Sequence, residues 1–396
     1  MTTITTPASA NAHSHAFHRM LRGRTHGAGG SFWTWRDLMY RVAAALDPDL
    51  YRELAEAVFA EMLVSGYTAV GEFHYVHHRP DGSPYEDPNA MGRALAEAAE
   101  SVGIRLTLLD TCYLASAPGV ALLPEQARFG DGTVTAWQER WQALAPLASG
   151  LVTIGAAIHS VRAVSPHDIA AVAEALPEGV PLHIHLSEQP AENEQSLAAF
   201  GRTPTGVLAT AGALSPRLSV VHATHLTSDD IALLGAAEVT VVMCPTTEAD
   251  LGDGIGPARE LVDAGATIAI GSDQHVVIDP YLEVRGLEAG ERMRSLARGR
   301  FSPAELDAAR SSGGFRSVGV VEHEGDTVVL DVASVRTAGA APDQLASAAT
   351  ASDVIEVSVG GRVVARRGVL ADGRDPAAML STAIAQLSSR LEGATR

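Results

Sequence analysis

The chain has 396 residues, 46% of them hydrophobic and 19% charged, with a mean hydropathy of +0.09, which supplies a sizeable globular core. Its 29 basic against 47 acidic residues leave a net charge of −18, which argues against nucleic acid and anionic membranes as partners. No apolar run approaches the ~20 residues of a membrane span, and the start lacks a charged segment followed by an apolar core, so a cytoplasmic chain is expected. In this length fits one large barrel-like domain with an appendage, or two to three ordinary domains.

From residue 65 to 275, short apolar or β-branched runs alternate with longer stretches of helical spacing, the pattern of βα units on a parallel sheet. The predicted strands are Tyr67–His74, Ile104–Thr111, Val152–His159, Val180–Leu186, Leu218–Ala223, Glu238–Cys244 and Thr267–Gly271. The predicted helices between them are Asp49–Ser65, Pro88–Ser101, Val134–Leu147, Ser165–Ala175, Pro204–Ala211, Thr227–Gly235 and Gly256–Ala264. Ser165-Pro166 and Thr227-Ser228-Asp229-Asp230 are helix start signals. The segment ending in Asn11-Ala12-His13-Ser14-His15 makes an eighth strand, and a closed (β/α)8 barrel over residues 1–312 is the economical reading. Helices over Pro280–Ala297 and Pro303–Arg310 follow.

The texture then changes. Ser317–Val321, Asp326–Asp331, Val354–Val359 and Arg362–Val369 read as short strands, with turns at Glu324-Gly325 and Gly360-Gly361. They predict a small β-rich side domain over residues 313–374, with a terminal helix in 375–396. The glycine cluster His26-Gly27-Ala28-Gly29-Gly30 suits a loop over the barrel mouth.

Two cysteines, Cys112 and Cys244, are too few for a disulfide framework or a thiolate zinc site. Lysine is absent: every basic residue is arginine. No Walker loop, no Schiff-base lysine and no lysine carbamate bridging two metals can form here, so any chemistry must run on the 15 histidines, carboxylates, arginine and a metal.

In a (β/α)8 barrel the chemistry sits at the carboxyl ends of the strands. His13 and His15 end the first strand, and their period-two spacing points both to one face. His159 ends the fourth strand, His185 the fifth, His222 the sixth, and Asp273 follows the eighth. One His-x-His is weak evidence, and a lone histidine is more often a surface or hydrogen-bonded core residue. The joint placement of His13, His15, His185 and Asp273 at separate strand ends carries more weight. Three imidazoles and one carboxylate suit a borderline divalent ion, zinc first, with manganese and iron(II) tolerating similar ligands, and leave a position for water. His74, His77, His78, His167, His225 and His275 read as loop, supporting or substrate-rim residues, and Asp110 and Asp250 as structural.

The stretches Asn11-Ala12-His13-Ser14-His15-Ala16-Phe17, Ser31-Phe32-Trp33-Thr34-Trp35-Arg36, Glu72-Phe73-His74-Tyr75-Val76-His77-His78 and Cys244-Pro245-Thr246-Thr247-Glu248 resemble the amidohydrolase superfamily, and within it the formimidoylglutamate deiminase family, from Asn11 to about Arg294. The resemblance implies hydrolysis of N-formimidoyl-L-glutamate, a small dicarboxylate, to N-formyl-L-glutamate and ammonia in histidine breakdown. It implies one divalent ion, most naturally Zn2+, on His13, His15, His185 and Asp273. It implies Glu188 as proton shuttle, His222 in contact with the attacking water and Asp273 as base as well as ligand. Arg36, Tyr75 and Arg162 would grip the carboxylates, with His159 near the formimidoyl group; a surface salt bridge is the alternative role for the two arginines. A homodimer is implied as well.

Two features depart from that pattern. Many relatives have glutamine where this chain has His18, which could still hydrogen-bond to substrate but would change charge near neutral pH. Only ten residues precede Asn11, so the side domain is expected to lack its amino-terminal strands and the first barrel strand to be poorly anchored. Two alternatives stay open: a superfamily deaminase of another amidine or aminoazine, such as guanine or cytosine, and a catalytically silent metal-binding relative.

Overall fold

The structure, a computed structural model, describes residues 2–26 and 32–394. Most of the glycine cluster, from Gly27 on, lies outside the described residues. The strands, in chain order, are β1 (Thr3–Pro7), β2 (Ser9–Ser14), β3 (Tyr67–His74), β4 (Arg105–Cys112), β5 (Val152–Ser160), β6 (Leu182–Leu186), β7 (Leu218–His222), β8 (Thr240–Met243), β9 (Thr267–Ile270), β10 (Thr327–Asp331), β11 (Val354–Val359), β12 (Arg362–Arg366) and β13 (Val369–Leu370). Strands β2 to β9 pair in parallel in sequence order, with helices in the connections. This is the expected (β/α)8 barrel, with a separate antiparallel sheet of order β1-β10-β11-β12-β13 beside it.

Local chemistry accounts for the helix starts. The Ser165 hydroxyl accepts from Asp168 N, and Thr227 and Asp230 form a reciprocal capping box, so orphan amides at both amino termini are satisfied. Burial explains why the barrel strands read as nearly continuous apolar runs: β3, β6, β7 and β8 are buried at every position because helices cover one face and the barrel interior the other.

The barrel closes without a regular ladder between its first and last strands. Beyond β9, Ser272 N and Asp273 N both donate to His13 O (3.1 and 3.0 Å), and His15 N donates to Asp273 O (3.2 Å). Asn11 locks the same seam, its Nδ2 donating to Ser272 Oγ (2.7 Å) while its Oδ1 accepts from Ser272 N (3.0 Å).

Four expectations are corrected. The amino-terminal segment does contribute to the side sheet: β1 pairs antiparallel with β10 from Thr3↔Asp331 to Pro7↔Thr327. The first barrel strand is firmly held, since β2 is buried throughout and Arg310 donates to Pro7 O and Ser9 Oγ. The weakly apolar Thr-Ile-Thr-Thr run suffices because alternation exposes one face of an edge strand and half-buries the other. Finally, the run expected as a strand at Ser317–Val321 is the end of a helix, Ser312–Ser317, and the turn after it. Phe315 and Val318 pack with Ala10, Ala12, Ala69, Val221, Val242 and Ala269 to plug the barrel floor, a role that β-branched residues fill as well as they fill a strand. Arg362–Val369 is also divided, by Arg367 and Gly368 at φ 49° and 82°.

Gly271 sits in the seam. A Cβ there would lie 2.8 Å from His13 Cβ and 2.9 Å from its backbone N and O. Gly271→Ala is therefore expected to lower the unfolding free energy by about 1–3 kcal/mol through overpacking. Gly150→Ala, with nothing within 4 Å of the added carbon, serves as the control. Denaturant unfolding of both variants checks this; equal midpoints would show a seam with room to spare.

Candidate active site

At the carboxyl ends of the strands, four side chains meet, from β2, the residue that follows it, β6 and the segment after β9. His13 Nε2 and His15 Nε2 each lie 3.4 Å from Asp273 Oδ1, and His185 Nε2 is 3.1 Å from His13 Nε2. His13, His15 and Asp273 place one donor atom each within 4.8 Å of one another, as do His13, His185 and His222. The four predicted ligands thus fall into two triads that share His13, one with His15 and Asp273 and the other with His185 and His222.

The donor set fits a divalent ion. His15 Nδ1 is 2.9 Å from Phe73 O and His185 Nδ1 is 3.0 Å from His159 O. A carbonyl only accepts, so both Nδ1 atoms carry the proton and both Nε2 atoms present a bare lone pair. Burial, foremost, holds the pKa values of His13, His15 and His185 well below the usual histidine range, which keeps the three rings neutral. Bare imidazole nitrogens converging on a carboxylate are the arrangement a cation satisfies.

His222 faces this cluster from β7. Its Nε2 lies 3.8 Å from Glu188 Oε1 and 3.9 Å from Asp273 Oδ2, and its Nδ1 lies 3.4 Å from Glu248 Oε1. Burial disfavours charge on the ring, but Glu188, Glu248 and Asp273 outweigh it and hold the pKa up at about 10. His222 and Asp273 both adopt left-handed backbone, φ 69° and 41°. Such conformations cost about 1–3 kcal/mol each and gather at functional sites.

The remaining predicted residues line one cleft above the cluster. His18, Arg36, Tyr75, His159 and Arg162 all border it, together with His15, His185, Glu188, His222 and Asp273. His18 Nε2 is 3.1 Å from the Tyr75 hydroxyl. Burial, then the neighbouring His15, hold the His18 pKa well below its ordinary value. The expectation that His18 changes charge near neutral pH is thereby corrected: burial disfavours the charged ring. The Arg36 guanidinium lies 5.7 Å from the centre of the Tyr40 ring. Arg162 has no hydrogen-bond or ion-pair partner among the described residues, and its charge is supported electrostatically by Glu192, Tyr113, Glu188 and Tyr40 against the penalty of burial.

Several site residues escaped the sequence reading. Glu248, part of a quoted motif, receives Cys244 N (2.8 Å) while facing His222. Glu72, likewise in a quoted motif, accepts from Ser14 Oγ (2.5 Å) and Ala16 N (2.6 Å) beneath the ligand strand, and burial pushes its pKa up to about 8. Tyr40, Tyr113 and Gln126, all outside the quoted motifs, line the cleft as well. His74, His77 and Asp110 also meet closely enough for a metal. However, Asp110 already accepts from Trp137 Nε1 (2.9 Å) and from both terminal nitrogens of Arg140 (2.6 and 3.1 Å), so that cluster is a neutralised structural network.

Comparison with known proteins agrees with this geometry. The model of the amidohydrolase family matches residues 4–364. The chain is 38% identical over 384 residues to the formimidoylglutamate deiminase of Pseudomonas aeruginosa, covering 91% of this chain and 84% of that protein. The crystal structure of an amidohydrolase from Brucella melitensis superposes with a TM-score of 0.90 at 31% identity, covering 97% of this chain and 90% of the other. An adenosine deaminase from Xanthomonas campestris with bound zinc shares the fold, with a TM-score of 0.81 at 23% identity over 99% of this chain and 86% of that one. A barrel whose mouth gathers His13, His15, His185 and Asp273, matched along nearly its whole length, makes this chain a member of the amidohydrolase family of metal-dependent hydrolases.

Proposed function

We propose that the chain hydrolyses N-formimidoyl-L-glutamate to N-formyl-L-glutamate and ammonia, as a step of histidine breakdown. One observation carries the reading: two guanidinium groups, Arg36 and Arg162, border the same cleft as the metal-type ligands. A substrate with two carboxylates needs cations in a protein of net charge −18, and an arginine fork binds a carboxylate through two parallel hydrogen bonds. The 38% identity to a formimidoylglutamate deiminase supports the same substrate.

His13, His15, His185 and Asp273 would hold one divalent ion, zinc by preference for imidazole and carboxylate donors. Such an ion lowers the pKa of water toward ~7 and so supplies a nucleophile at neutral pH. Asp273 takes the proton released by the attacking water, and His222, protonated between its carboxylates, orients that water. Glu188 delivers a proton to the imino nitrogen as oxygen adds to the amidine carbon. The proton taken up by Asp273 then returns through Glu188 to the same nitrogen, so that the C–N bond breaks and ammonia departs, while the hydroxyl proton of the tetrahedral carbon restores Glu188 and the carbon keeps its oxygen as the formyl group. His159, whose ring centre is 5.3 Å from that of His185, would contact the formimidoyl group, Tyr75 would join Arg36 and Arg162 on the carboxylates, and His18 would hydrogen-bond toward the substrate.

The same reading makes the enzyme cytoplasmic and homodimeric, with no nucleic-acid or membrane partner. Its support is the acidic charge and the finding that, among the described residues, no helix is long and apolar enough to cross a membrane. A second reading, deamination of an aminoazine, draws support from the aromatic lining of the cleft by Trp35, Tyr40, Tyr75, Tyr113 and Phe129.

Ammonia release from formimidoylglutamate, assayed with metal content on one preparation, tests the reaction: one ion per chain and loss of turnover on chelation are expected. Release from guanine or cytosine but not from formimidoylglutamate would favour the second reading. Glu188→Gln should retain the ion and lose roughly 10²–10⁴-fold in kcat, the usual worth of an acid–base group; wild-type kcat in that variant would remove Glu188 from the mechanism. Arg162→Ala should lower kcat/KM for formimidoylglutamate at least ~10-fold, as expected for a lost charge-assisted contact. An unaltered kcat/KM would take the carboxylate grip away from this residue.

A further inference from the structure

Gln126 reaches the cleft from the turn Pro124–Phe129 and is almost wholly buried, at 3% exposure. Its Oε1 is 2.9 Å from Leu123 N. A backbone N–H can only donate, so this contact fixes which end of the amide is oxygen. The Nε2 end then faces two phenols, 3.0 Å from the Tyr40 hydroxyl and 2.9 Å from the Tyr113 hydroxyl. Both amide hydrogens are spent on these contacts, and both hydroxyl oxygens act as acceptors. Each phenol keeps its own hydrogen, for which no acceptor exists among the described residues, and both rings line the cleft.

Two neutral donors held in this way suit an acceptor that carries negative charge. Arg36 and Arg162 act electrostatically on both phenols, which places the four groups in one neighbourhood. The subsite lies at a defined remove from the reacting centre: the Tyr113 ring is 4.1 Å from that of His159, and His159 is 5.3 Å from the ligand ring of His185. An amidine at the ligand cluster and a carboxylate several bonds away would span that interval.

We propose, resting on the formimidoylglutamate reading, that Tyr40 and Tyr113 donate their phenolic hydrogens to the γ-carboxylate of the substrate beside Arg162, aimed there by Gln126. The tyrosines touch substrate and set specificity; Gln126 is a positioning residue acting through them. The arginines supply attraction, and the phenols supply direction, because an O–H donor held at a fixed angle rewards an acceptor at one point only.

The test is calorimetric binding of two probes to the zinc-loaded protein. N-formyl-L-glutamate carries the γ-carboxylate, and N-formyl-L-norvaline has a methyl group in its place. Wild type should prefer the dicarboxylate. The double variant Tyr40→Phe/Tyr113→Phe should lose about 100-fold of its affinity for N-formyl-L-glutamate, near tenfold for each charge-assisted hydrogen bond, and only a few-fold for the norvaline probe. Zinc content and melting temperature, measured alongside, should match wild type. Gln126→Glu keeps an acceptor for Leu123 N but turns the phenolic hydrogens inward, and should erode the same preference. A double variant that keeps the wild-type preference, or a wild type without one, overturns the subsite; wild-type preference in Gln126→Glu overturns the aiming role. Turnover is scored separately. A wild type that prefers the dicarboxylate yet releases no ammonia from formimidoylglutamate ends the proposed reaction and leaves the subsite standing.

Discussion

The barrel seam between the first strand and the segment after the last is the constraint on which the site rests. Three backbone hydrogen bonds join His13 and His15 to Ser272 and Asp273, and Gly271 has no side chain because the His13 backbone occupies that space. Closing the barrel and bringing the carboxylate of Asp273 to the two imidazoles are therefore one event. The ends of the chain's barrel region, some 260 residues apart in sequence, are joined where the cation would sit. A cation bridging the two strands would reinforce the closure that creates its own site, since binding to the folded state alone adds to stability.

Around this seam the protein separates neutral from charged groups. The buried candidate-ligand imidazoles are kept neutral, and His15 and His185 hold their protons on Nδ1, where carbonyls accept them. One ring away, His222 is pressed among Glu188, Glu248 and Asp273 and holds its proton. The same burial thus gives opposite outcomes: it prevails at His13, His15 and His185, whereas at His222 the carboxylates of Glu188, Glu248 and Asp273 outweigh it. On the far side of the cleft the polarity reverses, with Arg36, Arg162 and two phenols around the space that leads away from the cluster. The cleft thus holds guanidinium and phenol groups as well as the His and Asp cluster.

Much of this was legible in the residues because barrel strands covered on both faces must be apolar along their whole length, and because polar residues just past such runs can only be at the mouth. Tyr67–His74 matches its predicted bounds, and the ends of β6, β7 and β9 carry His185, His222 and Asp273 as read. Periodicity failed where an element's role was set by what it covers. The Phe315–Val318 segment is apolar because it plugs the floor, and the conformation of that plug depends on the strand ends it meets. The amino-terminal strand was hidden because an edge strand needs only a partner, and β10 lies more than 300 residues further on.

The residue types and their order settled the repertoire: no lysine, ligand histidines at strand ends, arginines in the connecting segments. Composition and spacing are local properties, and barrel geometry converts strand ends into a common rim whatever the intervening sequence. The tertiary structure alone decided protonation and direction. Whether His18 is neutral, whether His222 is charged and where the hydrogens of Tyr40 and Tyr113 point all depend on burial and on hydrogen-bond partners from distant segments. Electrostatic and hydrogen-bond energies fall off within a few ångströms, and separation along the chain carries no information about such distances.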